Sequence, residues 1–267
     1  MHIFDASYPS IPNASLRPSD ASLDDYALIQ RQLGSTRFVA VQPSIYGLDN
    51  SLLLATLRHS GLERARGVAV VDETVTDAAL TELRANGVRG VRFNQVQNGV
   101  TTLEMLESLD PRLNERNLHV QVHARPDQLI DALPLLQSLR SELVIDHIGR
   151  LASMTDLQSK VEDALYRLLD TGRAWLKLSA PYLASGADDP YDDIAECIGT
   201  IARRYPQRIV WGTDWPHATE RGPQNEQRML AFFRSLMPSA AVDRAVFVDN
   251  PAALYGFRTP TSAGSSS

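Results

Sequence analysis

The chain has 267 residues, a formal net charge of −6 and 43% hydrophobic residues, which are globular proportions. It has no basic patch, which argues against a nucleic-acid or anionic-membrane partner, and no apolar run approaches the ~18 residues of a membrane span. Its single cysteine, Cys197, excludes a disulfide framework and a multi-cysteine zinc site. The N-terminal residues lack the basic and apolar regions of a signal peptide, so a cytoplasmic protein is expected.

Short segments rich in Val and Ile recur along the chain and are too short to be helices, which is typical of buried strands. The eight predicted strands are His2–Phe4, Phe38–Pro43, Arg66–Val71, Val88–Phe93, Leu118–His123, Leu143–His147, Ala174–Ser179 and Arg208–Thr213. Stretches with helical spacing lie between them. The predicted helices are Ser22–Leu33, Asn50–His59, Asp77–Ala85, Thr102–Glu115, Pro126–Leu139, Leu157–Leu169, Tyr191–Tyr205 and Asn225–Leu236.

Eight strand–helix units predict an α/β protein of one domain, a (β/α)₈ TIM-like barrel over residues 1–257 with a short, incomplete first strand. A doubly wound open sheet is the alternative. It rarely has eight such regular units, and no G-x-G-x-x-G follows the first strand here. The small, polar residues 258–267 predict a disordered C-terminal tail.

Four of the six histidines fall at or just after predicted strand ends: His2, His123, His147 and His217. The carboxyl ends of barrel strands carry the chemistry of this fold. A single histidine there is more often structural than catalytic. Four at one rim predict a functional site, because imidazole can ligate a metal, polarise a carbonyl or transfer a proton near neutral pH.

Two carboxylates accompany these histidines. Asp214 follows the last predicted strand and is placed to face the histidines, where it can take a proton from water attacking an electrophilic carbon; a loop cap is the alternative role. Strand alternation points Asp146 and His147 to opposite faces, and we expect His147 to face the barrel mouth. Arg150 either anchors an anion or pairs with a surface acid.

Several motifs occur in the order and at the strands expected of a known family. They are His2-Ile3-Phe4, Val41-Gln42-Pro43-Ser44-Ile45-Tyr46-Gly47, Arg66–Asp72, Arg89–Asn94, Asp146-His147-Ile148-Gly149-Arg150, Trp211–His217 and Asn250-Pro251. Over about residues 2–257 the chain resembles the amidohydrolase-related family, most closely its branch of 2-pyrone-4,6-dicarboxylate lactonase and sugar- and muconolactone hydrolases. The resemblance implies a distorted (β/α)₈ barrel that hydrolyses lactones or amides, although some members decarboxylate.

The resemblance also assigns roles to particular residues. His2 matches the second histidine of the family's first-strand His-x-His pair, His147 the sixth-strand histidine and Asp214 the eighth-strand aspartate. Arg92 and Asn94 match substrate-contacting positions, although a barrel-interior ion pair is an equal expectation for Arg92. Further candidates for substrate binding are Tyr46, Ser179, Tyr182, His217 and Arg150.

Two departures from the family pattern affect the expected substrate and metal. The first histidine of the His-x-His pair is absent, so either upstream residues are missing or the protein lacks half of the pair. We expect no tightly bound metal, or one Zn²⁺ or Mn²⁺ held by His2, His123, His147 and Asp214. Basic residues that the dicarboxylate lactonase uses are missing after Phe93-Asn94 and after Ser179, and His123 replaces an aromatic residue. A less anionic lactone is therefore expected.

The sequence thus predicts a hydrolase that opens a small lactone. Asp214 activates water, and His147, His123 and His2, or a metal that they hold, polarise the carbonyl. A metal-dependent decarboxylase and a non-catalytic or truncated barrel are the alternatives. The expected ligand is a small lactone or carboxylic acid, with no nucleic-acid or membrane partner, and a homodimer is compatible with the sequence.

Overall fold

The computed structural model describes residues 1–97, 99–187, 191–220 and 224–258. Its centre is one sheet of seven parallel strands that follow each other in chain order. The strands are β1 (Phe38–Val41), β2 (Ala65–Ala69), β3 (Val88–Asn94), β4 (His119–His123), β5 (Leu143–Ile145), β6 (Ala174–Leu178) and β7 (Ile209–Trp211). The strand order has no reversal, which excludes the doubly wound alternative.

Seven of the eight predicted strands are confirmed, but the predicted first strand is wrong among the described residues. Met1 lies beside β1, since its amino group donates to Val39 O and its carbonyl accepts from Val41 N. The next residue, His2, donates its backbone N–H to Trp215 O, 2.8 Å away, beyond the end of β7. Phe4 then turns to form an isolated antiparallel bridge with Ala21. Met1 is thus the residue that pairs with β1, and His2 is the residue that pairs with the chain after β7. One residue on each side is too few for an eighth strand among the described residues, so the sheet is curled but not closed.

Helices connect the strands and cover the outer face of the sheet. They are α1 (Leu23–Leu33), α2 (Ser51–Ser60), α3 (Asp77–Ala85), α4 (Leu106–Glu115), α5 (Pro126–Asp131), α6 (Leu133–Ser138), α7 (Gln158–Leu169), α8 (Pro181–Ala184), α9 (Asp192–Arg204), α10 (Glu226–Ser235), α11 (Ala240–Arg244) and α12 (Asn250–Tyr255). A π-helical turn, Ala245–Asp249, joins the last two. None of the described helices is long and apolar enough to cross a membrane.

The side chains expected to cap the starts of helices do so in the structure. Ser22 and Asp25 form a capping box at the start of α1, and Thr76 caps α3. The predicted helix 126–139 divides into α5 and α6, with Pro134 in the first turn of α6. Helices α8, α11 and α12 were not predicted because they are only four to six residues long.

The amino-terminal end of the curled sheet is filled by the C-terminal helix. Tyr255 and Phe257 are buried together with Val41 and Val68 from the strands. Arg66 donates to Tyr255 O and Gly256 O, and its guanidinium stacks on the Phe257 ring at 4.6 Å. This end is therefore closed by packing, which leaves the carboxyl ends of the strands as the accessible end. Residues 259–267, most of the predicted tail, lie outside the described residues.

Candidate active site

Histidine and aspartate side chains converge at the carboxyl ends of the strands. Oδ1 of Asp214 lies 3.4 Å from Nε2 of His2 and 3.8 Å from Nε2 of His147. The ring of His123 meets that of His147 edge to face, with centroids 4.6 Å apart. The four residues line one pocket of about 440 Å³, including its open mouth. The structure thus brings together all four predicted catalytic residues.

Left-handed backbone conformations aim these side chains. Asp214 has φ 63°, and His147 has φ 50°, followed by three more residues with positive φ ending at Arg150. Such conformations cost free energy for residues other than glycine and are retained where the surrounding structure enforces them. They also correct one expectation. Because the chain leaves β5 at Asp146, strand alternation no longer applies, and Asp146 and His147 both point inward.

The two oxygens of Asp214 have different partners. Oδ2 accepts a hydrogen bond from the Tyr182 hydroxyl at 3.0 Å, whereas Oδ1 faces His2 and His147. Burial alone would raise the pKa of Asp214, but His147 and His2 outweigh it and hold that pKa well below its ordinary value. The carboxyl group is therefore ionised at neutral pH, with Oδ1 directed at the pocket.

Fixed neighbours orient the histidine rings. Nδ1 of His2 donates to Val41 O at 2.8 Å, because a carbonyl can only accept. Nδ1 of His147 bonds the hydroxyl of Ser179 at 3.0 Å. Burial lowers the pKa of His147 to about 4 and also lowers that of His2. Both rings therefore present Nε2 to Asp214.

His123 differs from His2 in its tautomer. Nδ1 lies 3.4 Å from Nη2 of Arg92, and a guanidinium can only donate. Burial lowers the pKa of His123 well below its ordinary value, so the ring is neutral and its proton sits on Nε2. That nitrogen is buried and has no hydrogen-bond partner in the described part of the chain. His123 therefore carries an unpaired donor in a ring that lines the pocket.

A buried ion cluster lies beneath the histidines. Asp146 is 1% exposed, receives Nε of Arg92 at 3.0 Å and Gln121 at 2.9 Å, and pairs with Lys177 at 3.0 Å. Burial opposes its ionisation, but Lys177 and Arg92 keep its pKa well below the ordinary value. The barrel-interior ion pair expected for Arg92 is thus present. Arg92 also lines the pocket, so its remaining donors are within reach of a substrate.

The residues fit a metal only in part. Imidazole and carboxylate are zinc ligands, and two acceptor atoms 3.4 Å apart, Nε2 of neutral His2 and Oδ1 of Asp214, are compatible only with a proton or a cation between them. Within the described ranges, however, no three His, Cys, Asp or Glu side chains are arranged to hold one ion. As they stand, the described residues supply fewer ligands than the three that a zinc site usually has.

The other predicted substrate-binding residues do not all lie at the pocket. Asn94 bonds Ser44 and the backbone of Val96, which shapes the loop after β3. Tyr46 holds the N-terminal segment through the backbone of Asp5. Neither Tyr46 nor Arg150 lines the pocket, and Arg150 is half-buried with an unpartnered Nε among the described residues. Ser179 orients His147, as described above.

Sequence reasoning missed one carboxylate near the site. Tyr182 contacts Nδ1 of His217 at 2.9 Å, and Nε2 of His217 lies 3.2 Å from Glu226 at the start of α10. Glu226 is 9% exposed. Its position directly after the predicted helix start resembles an ordinary acidic first-turn residue. Only the fold brings it to His217.

With this geometry in place, comparison with known proteins identifies the family. The profile of the amidohydrolase family matches residues 1–257. The chain belongs to this family. The family expected from the sequence motifs and the expected hydrolase-type enzyme are therefore confirmed.

Characterised relatives of this amidohydrolase match it over nearly its full length. D-galactarolactone isomerase of Agrobacterium fabrum is 32% identical, covering 96% of this chain and 89% of the relative. 4-Sulfomuconolactone hydrolase of Rhizobium radiobacter is 29% identical (96% and 88% covered). 2-Pyrone-4,6-dicarboxylate hydrolase of Comamonas testosteroni is 30% identical (95% and 88% covered).

Solved structures agree with this grouping. An apo structure from Agrobacterium tumefaciens superimposes with a TM-score of 0.89 at 31% identity, covering 97% of this chain and 94% of the other. A Burkholderia multivorans amidohydrolase with bound zinc superimposes with a TM-score of 0.73 at 20% identity, covering 90% and 89%, and that likeness shows the fold alone.

Proposed function

We propose that this amidohydrolase opens a small lactone ring with water that Asp214 activates. The supporting observation is that the two oxygens of the Asp214 carboxylate have different partners. Oδ2 is held by Tyr182, while Oδ1 lies between His2 and His147 at the pocket. An ionised carboxylate in this position can take a proton from water attacking the ester carbonyl, a contribution of typically ~10²–10⁴-fold.

The attack also needs a group that stabilises the developing oxyanion. His123 meets this need because its Nε2–H is buried, unpartnered among the described residues and carried by a pocket-lining ring. Arg92 fixes the tautomer through Nδ1. A donor placed before the reaction costs no reorganisation when charge develops on the carbonyl oxygen.

The names of the three relatives also support a lactone. Each relative is named for a lactone or pyrone, which is a cyclic ester. In this chain, Arg92 is the cation that lines the pocket among the described residues, and Asp146 already neutralises part of its charge. We therefore propose a lactone with at most one anionic group at the pocket, with Arg150 outside it as a second anion contact for a longer substrate.

A lactone screen tests this function. Acid release from γ- and δ-lactones, with and without one carboxylate, is followed by pH-stat for the wild type and for Asp214→Asn, which tolerates the left-handed backbone. The matched control is Asp72→Asn, whose carboxylate caps a loop outside the pocket. We expect the rate of acid release to fall at least ~10²-fold in Asp214→Asn and to stay unchanged in Asp72→Asn. Equal rates in the two variants would disprove the role of Asp214.

Each assay is run with chelator and with added Zn²⁺ or Mn²⁺. A bound divalent metal would supply Lewis-acid polarisation of the carbonyl. Activity that resists the chelator and does not respond to either metal supports catalysis by the side chains alone. Activity that requires metal assigns the electrophile to the ion instead of His123.

Lactone isomerisation is a second candidate, because a relative at 32% identity is named as an isomerase. In that reaction a substrate hydroxyl replaces water as the nucleophile, and the same Asp214 can accept its proton. ¹⁸O-labelled water separates the two. Hydrolysis places one ¹⁸O in the product carboxylate, whereas isomerisation gives an unlabelled lactone of unchanged mass.

A further inference from the structure

A chain of three hydrogen-bonding contacts runs from Asp214 away from the pocket. Tyr182 on α8 contacts Asp214 Oδ2 at 3.0 Å and His217 Nδ1 at 2.9 Å. The other ring nitrogen of His217 lies 3.2 Å from Glu226 Oε1 on α10. His217 is 5% exposed and Glu226 is 9% exposed, so water does not readily replace these contacts.

Counting protons decides the direction of each hydrogen bond. Carboxyl groups have ordinary pKa values of about 4, so Asp214 and Glu226 are ionised at neutral pH and can only accept. Burial, with the charge of Asp214, raises the pKa of Tyr182, so its hydroxyl keeps one proton. That proton can serve Asp214 or His217, but not both.

All three contacts are satisfied together by one arrangement. Nε2–H of His217 donates to Glu226, Nδ1–H of His217 donates to the Tyr182 oxygen, and Tyr182 donates to Asp214. A neutral His217 that kept its Nε2–H for Glu226 would offer a lone pair at Nδ1. It would then compete with Asp214 for the Tyr182 proton, and one buried contact would be lost.

We propose that Glu226 is a positioning residue that holds His217 doubly protonated and thereby commits the Tyr182 proton to Asp214 Oδ2. Glu226 touches neither the pocket nor Asp214. Its effect on catalysis, which rests on the proposed function, passes through His217 and Tyr182. With Oδ2 fixed in this way, Oδ1 is the oxygen that stays available to the reacting water.

The arrangement is tested first without catalysis. Nitrogen NMR of ¹⁵N-histidine-labelled protein at pH 7 reports the protonation of each ring nitrogen, and His217→Gln assigns the signal among the six histidines. We expect both nitrogens of His217 to carry protons in the wild type and only one to do so in Glu226→Gln. A singly protonated wild-type ring, or an unchanged ring in Glu226→Gln, would overturn the proposal even if no lactone is turned over.

Kinetics then test the route to Asp214. With the lactone found in the screen, we expect Glu226→Gln and Tyr182→Phe each to lower kcat ~10-fold with little change in KM, and the double variant to be no slower than Tyr182→Phe. If the losses in kcat of the two single variants multiply in the double variant, Glu226 does not act through Tyr182. The matched control is Glu162→Gln, which removes a carboxylate on α7 that accepts from Tyr166 and does not line the pocket. Thermal melts confirm that the variants are folded.

Discussion

A single hydroxyl group determines how His147 presents its ring. Ser179 is fully buried, and its Oγ lies 3.0 Å from Nδ1 of His147. We expect Ser179→Ala to lower kcat about 3–10-fold, because a hydrogen bond of this kind is worth about 0.5–1.5 kcal/mol. Steady-state kinetics on the lactone found in the screen measure the effect. Ser138→Ala, which removes a hydroxyl bonded to the backbone of α6, is the control. Equal losses in both variants would mean that Ser179 acts through general stability.

Individual residues were predictable where their chemistry and position coincided in the sequence. Asp214, His147 and His123 are rare, reactive side chains at the ends of β-rich segments, and the structure places them together. Asp146 was assigned to the wrong face, since alternation holds only while the backbone is extended. Glu226 carries no signal of its own, because its partner His217 lies on a separate segment that only tertiary folding brings close.

At the scale of elements, the left-handed turn after β5 is a closely packed segment of the site. Gly149 has φ 62°, and a Cβ there would lie 3.0 Å from Leu129 and 3.2 Å from Leu165. We expect Gly149→Ala to lower the free energy of unfolding through two contributions that add. Overpacking contributes about 1–3 kcal/mol, and the strained backbone conformation of alanine contributes about 1–2 kcal/mol. Urea denaturation measures the sum. Activity should fall with it, because His147 lies two residues earlier.

Gly172→Ala is the matched control for this turn. Gly172 also has positive φ, 72°, but nothing lies within 4 Å of the added Cβ. It should therefore show the backbone cost alone, with unchanged kcat. If the two variants lose the same stability, the contacts of Gly149 with Leu129 and Leu165 do not constrain the turn.

Predictability of the elements follows their length and local signals. Most of the strands β1 to β7 are Val- and Ile-rich, and all seven were found to within a few residues. Capped helices such as α1 and α3 were bounded to within one residue. The segment around His2 reads as a strand from its residue types, yet it pairs at a single residue on each side. Pairing depends on neighbours distant in the sequence, which residue types do not specify.

At the scale of the whole molecule, buried neutral histidines link folding to pH. Burial lowers the pKa of His147 to about 4 and that of His119 to about 3, whereas an unfolded chain has ~6.5. As the pH falls below ~6.5, the unfolded state binds protons that the folded state does not, so stability decreases. Between pH 7 and 5 each group should remove about 2 kcal/mol from the free energy of unfolding.

His119→Phe tests how much of this pH dependence comes from one ring. Neither ring nitrogen of His119 makes a hydrogen bond of ordinary geometry within the described residues, and the ring packs edge-on against Tyr255, so we test an apolar ring at this position. Urea denaturation measures the free energy of unfolding at pH 7 and at pH 5. We expect the difference between the two values to be about 2 kcal/mol smaller in His119→Phe than in the wild type. The control is His59→Gln at an exposed position. A difference that is unchanged in His119→Phe would show that His119 does not resist protonation in the folded state, and the acid sensitivity would then belong to the histidines at the pocket.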